Sequence, residues 1–279
     1  MRFANRGGRA FVLHGDTAGW DLERASGGHF SSDPMEMWAR HREIRSFVAG
    51  LDGGGAEPVE ALALDAPVPV PGAIIAIGLN YAEHARETGF EPPTELPPVF
   101  AKFPSSVTGA QGEVRLPEGT VDWEVEVVAV VGTPMHHVAE SEVFDHLAGL
   151  TVGQDLSERT RQFAGPAPQF GLAKSYPGFA PIGPWVVSLD ELADPDDLRL
   201  GCSVDGEVVQ SGTTAGLIFS ISRSISELSS VLVLRPGDLI FTGTPDGVGM
   251  GMSPPRFLQR GQVLRTWVEG IGSMTHTMV

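Results

Sequence analysis

Val121-Asp122-Trp123-Glu124-Val125-Glu126-Val127-Val128-Ala129-Val130-Val131-Gly132 is the stretch that decides how this chain folds. Its β-branched residues favour extended backbone, and alternate residues of a strand share a face. Trp123, Val125, Val127, Ala129 and Val131 then line one side. Asp122, Glu124 and Glu126 occupy the other, followed there by Val128 and Val130. Two glutamates on a strand ordinarily mark a half-exposed, polar face. Here the valines that follow carry that face into a core within a few residues. Carboxylates roughly 7 Å apart along a strand are costly beside a core unless something neutralises them. Hard divalent cations take oxygen ligands. The i, i+2 spacing lets Glu124 and Glu126 bend toward one such ion.

A third ligand belongs at the end of a neighbouring strand, and Leu150-Thr151-Val152-Gly153-Gln154-Asp155 supplies it. By itself a strand-ending aspartate is a turn or cap residue. Beside the paired glutamates, Asp155 becomes a candidate to complete an oxygen-only site.

Outward from this pair the chain reads as short apolar strands punctuated by Gly and Pro. They are expected at Arg9–Leu13, Ala73–Gly78, Pro184–Ser188, Leu198–Val204, Asp238–Gly243, Gln262–Glu269 and Met274–Val279. Helical spacing predicts helices over Met35–Leu51, Glu140–Ala148 and Thr214–Leu232, the last ending at Arg235-Pro236-Gly237. Many strands and few helices predict a β-rich α+β fold. The run Asp65-Ala66-Pro67-Val68-Pro69-Val70-Pro71-Gly72 lacks amide donors at its prolines and reads as an extended linker. It divides a small N-terminal α/β unit (1–70) from a catalytic domain (71–279).

Composition narrows the function. Lys and Arg number 19 against 35 Asp and Glu, a formal charge of −16. Such a surface repels nucleic acid and anionic membranes, and neither is an expected partner. The apolar runs are of strand length, too short to cross a bilayer, and a cytoplasmic enzyme is expected. The single cysteine, Cys202, excludes an internal disulfide framework and reads as an inert buried thiol.

Five stretches, in order, carry a resemblance. They are Gly78-Leu79-Asn80-Tyr81-Ala82-Glu83-His84-Ala85-Arg86-Glu87, Asp122-Trp123-Glu124-Val125-Glu126, Asp155-Leu156-Ser157-Glu158-Arg159-Thr160-Arg161-Gln162, Ala173-Lys174-Ser175-Tyr176-Pro177-Gly178-Phe179, and Phe241-Thr242-Gly243-Thr244-Pro245-Asp246-Gly247-Val248-Gly249. From about residue 72 onward the chain resembles the fumarylacetoacetate hydrolase family, and within it the bacterial acylpyruvate hydrolases and 2-oxo-hept-3-ene-dioate isomerases. The resemblance implies mixed β-sheets rolled around a central metal site, and a homodimer. It implies Mg²⁺ or Mn²⁺ on Glu124, Glu126 and Asp155, with Ca²⁺ able to substitute in crystals. It implies that His84 and Glu87 form an acid/base pair on a segment that closes over substrate. Lys174, Gly243 and Thr244 would meet substrate oxygens, and Gln210 would add a further substrate contact. Leu79 departs from the pattern, standing where some relatives carry a cation.

These roles are chemically coherent. Residues three apart on a helical turn can meet, so Glu87 can orient His84 and raise its basicity. Lys174 would offset the charge of three carboxylates around one divalent ion. Arg159 and Gln162 would brace the ligands. The 242–249 loop lacks the Gly-Lys-Ser/Thr ending of a nucleotide-binding loop. His136 and His137 have no partner at ligand spacing. The expected reaction is metal-dependent hydrolysis of a carbon–carbon bond in a β-diketo acid of acylpyruvate or fumarylpyruvate type. Isomerisation, decarboxylation or hydration of a related 2-oxo acid is the alternative, ahead of a non-catalytic metal-binding homologue.

Overall fold

The computed structural model describes residues 1–60 and 64–279. The valine-rich stretch forms the centre of the larger of two main sheets. Strand Val125–Val131 lies between Leu147–Gln154 and Leu239–Phe241, antiparallel to both. Beyond Leu239–Phe241 come Ile74–Ile77, in parallel, and then Val99–Lys102. In the other direction Leu147–Gln154 pairs with Ala180–Val187, which pairs with Arg2–Arg6. A second, five-stranded sheet runs Glu207–Thr213, Arg199–Val204, Val263–Val268, Gly272–Met278 and Gln111–Val114. Parallel and antiparallel ladders occur in both, so the fold is the expected β-rich, mixed-sheet arrangement with few helices.

The alternation along Val125–Val131 determines what covers each face. Val125, Val127, Ala129 and Val131 join one core cluster with Leu200, Cys202, Leu264 and Met274 of the second sheet. Val128 and Val130 join another with Phe3, Met37, Trp38 and Ile44. The valines after Glu126 are therefore covered by the N-terminal segment, which confirms that the carboxylate-bearing face enters a core. The sheet crosses the expected boundary near residue 70, since Arg2–Arg6 hydrogen-bonds to Ala180–Val187 and continues through Arg9–His14 and Ala18–Asp21. In the linker, Ala66 and Val68 are buried against this same cluster.

Several expected elements are shorter or broken, each for a local reason. The carboxylate strand divides into Val121–Asp122, paired with Ser157–Glu158, and Val125–Val131. At the break the Glu124 and Val125 amides donate to the side chains of Gln154 and Gln210 instead of to a strand. The helix expected over Met35–Leu51 is a 3₁₀ segment, Pro34–Arg40, followed by helix His41–Val48. The helix expected over Thr214–Leu232 narrows to Ile221–Ser229, because the Ser220 hydroxyl caps it by accepting from the Arg223 amide. Glu140–Ala148 gives one 3₁₀ turn and the short helix Val143–His146 before strand Leu147–Gln154 begins.

Candidate metal centre

Each carboxylate of the site sits where a strand ends or breaks. Glu124 lies in the gap between the two strand pieces, and Glu126 is the second residue of Val125–Val131, opposite Gly153. Asp155 follows strand Leu147–Gln154 directly, and its amide donates to the Glu124 carbonyl. That bond closes the two strand ends together. Glu124, Glu126 and Asp155 are all buried, and one oxygen from each lies within 4.8 Å of the others.

The surroundings are strongly charged for so buried a place. Lys174 Nζ donates to Glu124 Oε2 at 2.5 Å and to Asp155 Oδ2 at 2.6 Å. Lys102 Nζ donates to Asp155 Oδ1 at 2.5 Å and to the Lys174 carbonyl. Arg159 reaches Asp122 Oδ2 through Nε at 2.9 Å and Glu124 Oε1 through Nη2 at 2.7 Å, and Gln162 Oε1 accepts from its Nη1. Burial opposes ionisation of Glu124, but Lys174 and Arg159 outweigh it and hold this carboxyl well below the usual range. Glu126 behaves oppositely. Burial, then the charges of Asp155 and Glu124, push it well above the usual carboxylate range. Among the described residues its one protein donor is the Gly243 amide, at 2.7 Å from Oε2. Burial lowers Lys102, which bonds Asp155; burial also opposes the charge on Lys174, but Asp155 and Glu124 outweigh it and raise its pKa.

These residues fit a divalent metal ion. The donors are all carboxylate oxygens, the set that hard cations favour. Three carboxylates (Asp122, Glu124, Asp155) meet three cations (Lys102, Lys174, Arg159), and Glu126 is the one that a cation would help to ionise.

His84 and Glu87 occupy helix Ala82–Glu87, whose backbone start is fixed by Asn80. The Asn80 amide group donates to the Phe219 and Thr242 carbonyls and accepts from the Phe219 amide. His84 Nδ1 meets Glu87 Oε1 at 2.9 Å. One cavity brings His84 together with Glu124, Glu126, Asp155, Arg159, Gln162, Lys174 and Thr244.

Two expected substrate contacts are placed elsewhere. Gln210 is spent within the protein: its Oε1 accepts from the Val125 amide, and its Nε2 donates to Thr244 Oγ1 and the Pro245 carbonyl. The hairpin register that sets Gln210 opposite Cys202 points it into the core, so it positions Thr244 without lining the cavity. Gly243 is likewise a support for Glu126. Its φ of +107° and an added Cβ only 2.7 Å from the Asn80 Cβ require glycine there. Sequence reasoning missed Lys102. Its signal was a lysine closing Val99-Phe100-Ala101, a segment not read as a strand. Asp122 was placed on the correct face but given no role. It accepts from the Gly249 and Met250 amides as well as Arg159, and so ties the 242–250 loop to the ligands. Cys202 is buried with its thiol pushed up by desolvation, as an inert residue should be.

Comparison with known proteins agrees with this geometry. The profile of the fumarylacetoacetate (FAA) hydrolase C-terminal family matches residues 73–279. The chain is similar to a crystal structure described as a putative HpcE protein from Mycobacterium smegmatis, with 45% identity, 100% of this chain and 99% of that one covered, and a TM-score of 0.94. It is also similar to a probable 2-hydroxyhepta-2,4-diene-1,7-dioate isomerase from Mycobacterium abscessus (28%, 99% and 97% covered, TM-score 0.85). A third is maleylpyruvate hydrolase from Sphingobium sp. SYK-6, in complex with manganese(II) and pyruvate (28%, 100% and 99% covered, TM-score 0.82). All three likenesses extend over the N-terminal residues that the family profile leaves out.

Proposed function

The chain belongs to the fumarylacetoacetate hydrolase family, and on that premise we propose that it is a Mg²⁺- or Mn²⁺-dependent hydrolase of acylpyruvates. The observation that carries this reading is a shared cavity. It sets the His84–Glu87 pair against three buried carboxylates able to hold one ion. The manganese and pyruvate in the maleylpyruvate hydrolase neighbour support it, because pyruvate is what cleavage of an acylpyruvate releases.

Glu124, Glu126 and Asp155 would hold a divalent ion, which would supply Lewis-acid polarisation of a 2-oxo acid. The remaining chemistry falls to the chain. Glu87 occupies His84 Nδ1 and leaves Nε2 to take a proton from water. The water oxygen bonds to the acyl carbonyl carbon, and the bond from that carbon to the methylene breaks. The electron pair leaves with the pyruvate fragment, whose methylene carbon takes up the proton held by His84. Water is the only co-reactant, and the products are a carboxylic acid and pyruvate. Lys174 and the Thr244 hydroxyl bind oxygens of the substrate, with Gln210 holding Thr244 in place.

The isomerase named among the similar structures favours a second reading, rearrangement of a related 2-oxo diacid without loss of carbon. The test is incubation of acetylpyruvate in ¹⁸O-water with Mg²⁺, with Mn²⁺ and with EDTA, followed by NMR and mass spectrometry. Hydrolysis places the label in acetate, releases pyruvate and stops in EDTA. An intact carbon skeleton in every product would remove the hydrolase reading. A homodimer belongs to the same proposal and is checked by light scattering.

A further inference from the structure

Beside its carboxylates and cations, the cavity carries an apolar lining that reaches its exposed mouth. Leu79, Phe90, Phe100, Phe163, Phe170 and Met250 line it together with Ile77. Phe100 and Phe170 stack, with ring centroids 5.2 Å apart. Phe90 and Phe163 face the cavity yet remain 47% and 44% exposed. Large aromatics left in contact with water at the mouth of a site mark a surface that a ligand covers.

Leu79 adds an independent sign. Its φ is +58°, a left-handed conformation that a bulky side chain disfavours and that Gly or Asn accepts readily. Asn80, next in the chain, clamps the backbone there through its bonds to Phe219 and Thr242. A leucine in strained backbone on a cavity wall is an outlier at a functional place.

The cations of the cavity are already committed. Among the described residues that line it, Arg159 is paired with Asp122 and Glu124, and Lys174 sits at the carboxylate end, on Glu124 and Asp155, where it serves the 2-oxo acid. None is left to receive a second carboxylate at the far end of a substrate. The formal charge of −16 also works against a dianion.

We infer that the outer cavity is a subsite for an apolar acyl tail, so that the substrate is a monocarboxylate and not a diacid such as fumarylpyruvate. This rests on the proposed 2-oxo-acid site but not on hydrolysis. One binding comparison therefore separates the two. The Mn²⁺-loaded protein is titrated calorimetrically with 2-oxohexanoate and with 2-oxoadipate, which match in chain length and differ only in a terminal methyl or carboxylate. The monoacid should bind at least about tenfold tighter, and extension to 2-oxo-octanoate should gain roughly fourfold per buried methylene. Phe170→Arg, at a half-buried position, should narrow or invert the preference. Equal or tighter binding of 2-oxoadipate by the parent protein, no gain with length, or no binding of either acid would overturn the subsite. Absence of acylpyruvate cleavage alongside preferred 2-oxohexanoate binding would remove the hydrolase reading and leave the subsite standing.

Discussion

Glu87 holds His84 through one carboxylate oxygen and the Gly247 amide through the other, at 2.9 Å in each case. The carboxylate that orients the imidazole thus also fastens its short helix to the loop bearing Thr244. The orientation of His84 and the position of the Thr244 loop are mechanically joined.

Loss of the base should therefore affect rate far more than binding. His84→Ala is expected to lower kcat by about 10²–10⁴-fold while leaving Mn²⁺ affinity close to that of the parent protein. Glu87→Gln should fall between the two. Steady-state kinetics on acetylpyruvate, with metal titration of the same samples, checks both. A parent-like kcat in His84→Ala would remove it from the chemistry.

Metal should stabilise the fold, and Glu126 should show why. At 100 times its dissociation constant, an ion bound only to the folded state adds about 2.7 kcal/mol. Burial and two neighbouring carboxylates make Glu126 the costly member of the apo site. Glu126→Gln should then raise the melting temperature of the metal-free protein and abolish the further rise with Mn²⁺. Calorimetric scans with and without EDTA decide it; a destabilised apo variant contradicts the account.

The Arg159 fork should not tolerate replacement. Arg159→Lys can serve Asp122 or Glu124 but not both, together with Gln162, in one plane. Arg159→Met leaves two buried carboxylates short of a partner, a change that costs about 3–5 kcal/mol. Urea denaturation of both variants should show a loss for each, larger for Met. Parent-like midpoints would mean that the fork is dispensable.

How much of this was legible without coordinates follows from the range of each signal. The i, i+2 carboxylates, the strand-ending Asp155 and the His84–Glu87 spacing are local patterns; the carboxylates and His84 share the cavity, and Glu87 holds His84 from outside its lining. The break at Trp123–Glu124 was not local. It depends on Gln154 and Gln210 taking the amides that a strand partner would have used. Lys102 was missed because its burial comes from Asp155 and the Lys174 carbonyl, both distant in sequence. The N-terminal strands read as separate because period-two alternation reports which face is apolar, not which strand lies beside it.

Two buried histidines set the expected acid limit of the fold. Burial lowers both His41 and His276, and His276 Nε2 contacts the Gly109 carbonyl as a neutral ring would. Folded, these rings resist protonation; unfolded, each takes a proton below about pH 6.5. Stability should therefore be complete above that value and fall as pH drops through it. Melting temperatures between about pH 7.5 and 5.5 should decline, and His276→Gln should flatten the slope. An unchanged slope would place the acid sensitivity elsewhere.

The lysines about Asp155 bear on the order in which the molecule matures. A small domain whose metal ligands repel one another cannot fold until the ion arrives, and chelators denature it. Here Lys174 bridges Glu124 and Asp155, and Lys102 secures Asp155 from behind, so the two strand ends are joined by the chain's own ammonium groups. If the proposed site holds a divalent ion, newly made protein can complete its sheets first and take up the ion afterwards. Which ion it would carry is then a matter of what the cell supplies to a finished molecule.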